Sequence, residues 1–145
     1  MVLQQWSSFI NFLIYLLVSI PLLLIGIKIF MWQTPYDEMQ IIRDAASADN
    51  DIKDEAGIAV AQSLGGKVVG QSLVIASAVF HSVSVVDLII WGIVGIVFQV
   101  IVYYVFERLT PFKADEEVCK GNIAVGIFSA RLSFATGLIL AALIS

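Results

Sequence analysis

The sequence predicts an all-α polytopic membrane protein, with four transmembrane helices built as two tandem, parallel two-helix repeats. Three observations lead there. The 145 residues are 59% hydrophobic and only 14% charged, with a mean hydropathy of +0.93, whereas a soluble domain is about 45–50% apolar and about 25% charged. Four apolar stretches reach the roughly 20 residues a helix needs to cross a bilayer. Finally, two long parts of the chain can be laid over one another.

The first span runs from Phe9 to Met31, with one Lys near its end. It is too long for a signal-peptide core and lacks a basic leader or a small-residue cleavage site, so it is expected to be retained. Pro21 is expected to bend it. Next come Thr34 and Pro35, suited to an N-cap and a first helical position. Asp37, three residues after Thr34, approximates a capping box, and Glu38 completes a Thr-Pro-Tyr-Asp-Glu motif. Tyr36, Met39 and Ile42 fall on one side, opposite Asp37, Gln40 and Asp44. That pattern predicts a short amphipathic helix at the membrane surface.

The second span, Gly57 to Phe80, is weaker, because it holds three internal glycines, Lys67 and Gln71. The third, Ser84 to Phe106, carries a single charge, Asp87, near its start. The fourth, Gly121 to Ile144, has Arg131 inside it. Length alone establishes the first and third; the other two draw support from the repeat.

Tyr15–Pro35 overlays Trp91–Pro111 at one fixed shift. Both segments are apolar, both end in Thr-Pro-aromatic (Thr34-Pro35-Tyr36 and Thr110-Pro111-Phe112), and each then runs into charge. Further on, Ile58-Ala59-Val60 matches Ile123-Ala124-Val125, and Leu73-Val74-Ile75-Ala76 matches Leu138-Ile139-Leu140-Ala141. The shift shrinks there because the first copy carries an acidic insertion at about 45–55. The chain therefore reads as a single membrane domain, residues 1–145, with repeat 1 at about 9–80 and repeat 2 at about 84–145. Two spans per copy put both copies in the same orientation, related by an axis along the membrane normal.

Arg43 and Lys53 lie in the first long loop, and Arg108, Lys113 and Lys120 in the second. The termini and the short turn at His81 hold no Lys or Arg. Because basic residues alone set orientation, both charged loops are expected in the cytoplasm and both termini outside.

Lys67 and Arg131 occupy related places in the two copies. A basic residue at a helix centre costs about 2.5–3.5 kcal/mol on insertion scales and is a functional candidate by default. No Asp or Glu lies well inside any span to pair with them. Two readings compete. The 14 residues from Lys67 to His81 span about 21 Å, which puts Lys67 nearer the loop boundary than the centre, where its side chain can snorkel. Alternatively, the two cations face a bundle interior or an oligomer seam and hold an anion or a lipid phosphate. Ser63, Lys67 and Gln71 share a face at a spacing of four, as a lined polar site requires. Arg131 lacks such a strip and has Phe128 and Phe134 beside it, an arrangement suited to a cation–π contact.

Gly66 and Gly70 form a Gly-x-x-x-Gly pair, and Ser129, Ser133 and Gly137 a small-residue ladder. Such stripes let helices approach closely in lipid, within one chain or between copies. Gln99, mid-span, is expected to donate an interhelical hydrogen bond rather than line a pore. One Cys and one His rule out a disulfide framework or a metal cluster from a single chain. No nucleotide loop or nucleophilic triad can be assembled, so neither a cofactor nor nucleic acid is expected, and no catalysis. The acidic loop residues are expected to be solvated.

Thr34-Pro35-Tyr36-Asp37-Glu38, Ile42-Arg43, Gly57-x-Ala59-x-Ala61 and Leu64-Gly65-Gly66 with Gly70 resemble the YjfL-type inner-membrane proteins. Gly121-Asn122 and the small-residue run to Ala141-Ala142 extend the resemblance over nearly the whole chain. It implies a bacterial inner-membrane location, four helices as a duplicated pair, and a link to envelope maintenance, without a known activity. This chain departs from the pattern in its first copy, where the acidic insertion and Ala56-Gly57 stand in place of Gly-Asn. The expectation is a small non-enzymatic membrane protein, homo-oligomeric in the bilayer, that recruits a cytoplasmic or membrane protein partner. The rival is a channel or transporter for a small ion, biased by its two cations toward an anion.

Overall fold

The computed structural model describes residues 2–47 and 51–144, with side chains from Gln5 onward. Among the described residues all regular structure is helical. Four long helices, α1 (Val2–Gln33), α3 (Asp51–His81), α4 (Val85–Leu109) and α6 (Ile123–Ile144), are each long and apolar enough to cross a membrane. Two short ones, α2 (Glu38–Ala45) and α5 (Ala114–Cys119), follow α1 and α4. The short helices define a charged end of the bundle; the α3–α4 turn marks the opposite, hairpin end.

The 32 residues of α1 reach about 48 Å, enough to pass the hydrocarbon and both headgroup layers. Pro21 lies inside this helix without breaking it. Leu22, Gly26 and Phe30, four residues apart, form its buried stripe. Before Tyr15 every described side chain of α1 is exposed, so α1 joins the bundle only through its second half.

The centre of the fold is α3, which packs on α1, α2, α4, α5 and α6. Its tightest seam is with α6. A Cβ on Gly66 would collide with the Ala130 backbone, one on Gly70 with Ser133, one on Gly126 with Ala59, and one on Gly137 with Gly70. Small residues therefore let the two backbones touch. Hydroxyls stitch the same seam: the Ser63 and Ser129 Oγ atoms lie 3.1 Å apart, and Ser77 donates to the Ala141 carbonyl. These partners stand 66 and 64 positions apart. A near-constant separation along the seam means that α3 and α6 run parallel. Leu22, Phe30, Leu64, Ile75, Ala78, Leu88 and Ile96 make the main apolar core.

Local signals act differently from the sequence expectation at the Thr-Pro pairs. Thr34 does not cap α2. Its hydroxyl donates to the Met31 carbonyl at the end of α1, and Thr110 is the C-cap of α4, donating to the Phe106 carbonyl. Each proline pushes the preceding threonine out of helical geometry, so the threonine closes the incoming helix instead of opening the next. Asp37 takes the N-cap of α2, accepting from the Gln40 N–H. The helix begins at Glu38, not at Pro35, which is exposed.

The inward face of α2 also differs from expectation. Met39 is exposed; Tyr36, Ile41 and Ile42 pack on the small cluster of Ala59, Val60 and Val118, and Glu38 is buried. Gly57 allows this docking, since a Cβ there would strike Ala45. Asn122 accepts from the Val125 N–H and starts α6, after Gly121 turns the chain at φ +90°. α3 has no such Gly-Asn start and begins with Asp51 and Asp54 in its first turn. These acids favour a helix N-terminus. The segment expected to be an acidic insertion is thus partly helical; residues 48–50 of it lie outside the described residues, as does Ser145 of the expected second repeat.

Candidate functional site: a buried charge cluster at the charged end

Lys67 does not snorkel. Only 2% of it is exposed, and its ammonium lies 4.4 Å from the centre of the Tyr103 ring on α4. No hydrogen-bond acceptor meets its Nζ among the described residues. An ammonium has three donors and no acceptor, and buried polar groups are almost always satisfied. A ring face supplies attraction, worth about 2 kcal/mol when desolvated, but leaves the donors unused.

The acids that answer Lys67 come from outside the spans. Glu38 on α2 and Asp115 on α5 both lie within the field of its charge. Glu38 is as buried as Lys67, and its Oε2 likewise finds no partner among the described residues. Burial raises the Glu38 carboxyl above its ordinary range, and Lys67 and the neighbouring Thr34 hydroxyl only partly oppose the shift. Asp115 is also raised by burial, with the Tyr103 hydroxyl beside it and Lys67 pulling the other way. Burial and the neighbouring acids lift the Tyr36 hydroxyl, and burial with Asp115 and Glu38 lifts the Cys119 thiol. The short helix α5 is held in place by Glu107, which accepts from the Asp115 N–H. The result is one enclosed cation among carboxyls that resist ionisation.

A second polar layer lies one turn deeper along α3. Gln71 is fully buried; it donates to the Gly92 carbonyl and accepts from Gln99. Gln99 therefore acts as the interhelical donor. Gly95 and Gly26 leave room for the Gln71 side chain. Toward the hairpin end, Val74, Ala78 and Leu88 follow, all fully buried.

The residues singled out from the sequence separate into three places. Lys67, Gln71 and Gln99 share the interior, with Thr34 and Glu38 at its mouth. Ser63 turns away to Ser129 and belongs with Gly66, Gly70, Ser133 and Gly137 in the α3–α6 seam. Arg131 is exposed on the outer surface of α6, unlike the buried Lys67 with which the sequence alignment paired it. The expected ring contact of Arg131 belongs instead to Lys67; Phe128 meets Phe106 in a tilted ring contact. Tyr103 escaped sequence reasoning; Tyr36 was placed only on the apolar side of the short helix, and Asp115, expected to be a solvated loop acid, is instead partly buried. For Glu38 a signal existed: it shares a helical face with Ile41, Ile42 and Ala45, at spacings of three, four and seven.

A four-helix membrane protein with an inward-facing lysine and its acids on two capping helices is the class that fold and site define. The chain belongs to the family described as Domain of Unknown Function (DUF350), whose profile matches residues 4–144. It is 31% identical over 129 residues to the UPF0719 transmembrane protein YshE of Bacillus subtilis (strain 168), covering 88% of each chain. It is 24% identical over 136 residues to the UPF0719 inner membrane protein YjfL of Escherichia coli (strain K12), covering 94% of each. No solved structure matches the chain significantly.

Proposed function

We propose that the protein is a non-enzymatic membrane protein that moves protons, with Lys67, Glu38 and Asp115 as the proton-binding site and the charged end in the cytoplasm. The observation that carries this reading is the complete burial of Lys67 without a hydrogen-bond acceptor, beside two carboxyls. Ionisable groups at membrane depth mark ion and proton paths by default. In the transfer step Lys67 keeps its ammonium, and the Glu38 and Asp115 carboxyls take up and release the proton near it, each passing between a neutral acid and a carboxylate that the ammonium attracts. Gln71 and Gln99 extend the polar layer toward mid-membrane, and the apolar layer at Val74, Ala78 and Leu88 closes the far side. Passage then needs that layer to repack.

The surroundings of Lys67 argue against the anion preference suggested by the two cations, because carboxyls already occupy its neighbourhood and Arg131 is elsewhere. Partner recruitment by the charged loops draws less support, since α2 spends its apolar face on the bundle.

The test uses the full chain in phosphatidylethanolamine/phosphatidylglycerol vesicles with a trapped pH dye and an imposed potassium diffusion potential. Wild-type vesicles acidify faster than empty ones, and Lys67→Met and Glu38→Gln each abolish the difference while eluting as one species with unchanged helix content. Acidification no faster than in empty vesicles, or full flux in folded Lys67→Met, would overturn the reading.

A further inference from the structure

Arg131 stands on the outer surface of α6 and makes no ion pair among the described residues. Beside it α3 and α6 enclose an open groove lined by Gln62, Gly65, Gly66, Val69, Arg131 and Phe134. The groove is graded along the bundle axis. Its polar members, Gln62 and Arg131, lie toward the charged end of their helices, while Val69 and Phe134 lie deeper. Its floor is bare at Gly65, where an added Cβ would touch nothing within 4 Å.

We infer that this groove holds one anionic phospholipid of the leaflet at the charged end, its phosphate on Arg131 and its acyl chain along Gly65, Val69 and Phe134. Three arguments support that occupant. Arg131 lies 8 residues past the start of α6 at Ile123, about 12 Å along the axis. Helical side chains lean toward the N-terminus, here the charged end, so the guanidinium reaches up to the phosphate level. An exposed guanidinium facing hydrocarbon needs an anion, and its fork of donors fits a phosphate bidentately. The apolar part of the groove begins where the first methylenes of such a lipid would run. The site is separate from the buried Lys67 cluster, which faces Tyr103 of α4, Glu38 of α2 and Asp115 of α5.

Native mass spectrometry of the detergent-solubilised full chain tests this, with phosphatidylglycerol, phosphatidylcholine or inorganic phosphate added in parallel. Phosphatidylglycerol is expected to give one retained adduct per chain, inorganic phosphate none, and phosphatidylcholine a weaker adduct. Arg131→Leu should lower phosphatidylglycerol occupancy at least tenfold, and Arg131→Lys less. Gly65→Leu, which fills the floor of the groove and leaves Arg131 in place, should lower it several-fold. Equal retention by wild type and Arg131→Leu overturns the proposal. So does retention of inorganic phosphate in place of lipid, or dimers that form through Arg131 without lipid.

Discussion

The Lys67 ammonium sits over the face of Tyr103, 4.4 Å from the ring centre, and so ties α3 to α4 at the level where α2 and α5 cover the bundle. Ring and hydroxyl do different things there: the face attracts the cation, and the hydroxyl lies beside Asp115. Tyr103→Phe keeps the face and removes the hydroxyl; Tyr103→Leu removes both. The face is worth about 2 kcal/mol in a desolvated site. Thermal unfolding in detergent should therefore show Tyr103→Leu destabilised by about that much more than Tyr103→Phe. Equal losses in the two variants would assign the stabilisation to the hydroxyl.

Burial also sets a pH dependence. Glu38 and Asp115 are both raised above their ordinary values of 4.5 and 3.8, so the folded chain binds protons that the unfolded chain has released. The folded state is then favoured most below about pH 4, and that advantage is lost as pH rises through the folded values. The exposed Glu116 and Glu117 shift the other way through Lys113 and Lys120, but solvent screening keeps their effect small. Melting temperatures measured from pH 4 to pH 8 should fall with rising pH in the wild type. In Glu38→Gln the slope should flatten, because a neutral amide replaces the titrating carboxyl.

Adjacent glycines on α3 should behave oppositely. Gly66 abuts the Ala130 backbone, which cannot move aside, whereas Gly65 faces open space. Overpacking a tight contact costs typically about 1–3 kcal/mol, so Gly66→Leu should lower stability by at least about 2 kcal/mol or separate α3 from α6. Gly65→Ala should be neutral or stabilising by up to about 1 kcal/mol, since glycine is a poor residue inside a helix. Chemical unfolding in mixed micelles measures both.

Much of this architecture was legible in the residues. Long apolar runs forced the four membrane-spanning helices, and the small-residue stripes at Gly66, Gly70, Ser129 and Gly137 marked where helices close on one another. The site was only half legible. Lys67 stood out because a charge in an apolar run is costly, but its acids lie far away in sequence, Glu38 on a stretch that reads as a surface helix and Asp115 on one that reads as a solvated loop. In the sequence Glu38 reads only as part of the Thr-Pro-Tyr-Asp-Glu motif, because a carboxylate on a surface helix ordinarily faces water; its burial comes from α2 folding back over α3, a tertiary event that its helical face shared with Ile41, Ile42 and Ala45 signals without fixing. The Thr-Pro motifs misled for a related reason. Thr34 serves as well to close one helix as to open another, and the choice rests on the proline that follows it.

Topology gives a further test that leaves function aside. The basic residues of the loops predict that the charged end faces the cytoplasm, since Lys and Arg resist translocation. Two exposed positions report on the two ends: Val83 in the hairpin turn and Lys120 after α5. Replacing the free Cys119 by serine removes the native thiol, after which Val83→Cys and Lys120→Cys place one thiol at each end. In intact cells, with the outer membrane made permeable where there is one, a membrane-impermeant maleimide should label Val83→Cys. Lys120→Cys should react only after the inner membrane is opened. The opposite pattern would put the Lys67 cluster on the outer side, so that it would draw its protons from the external medium, and would move the Arg131 groove to the outer leaflet.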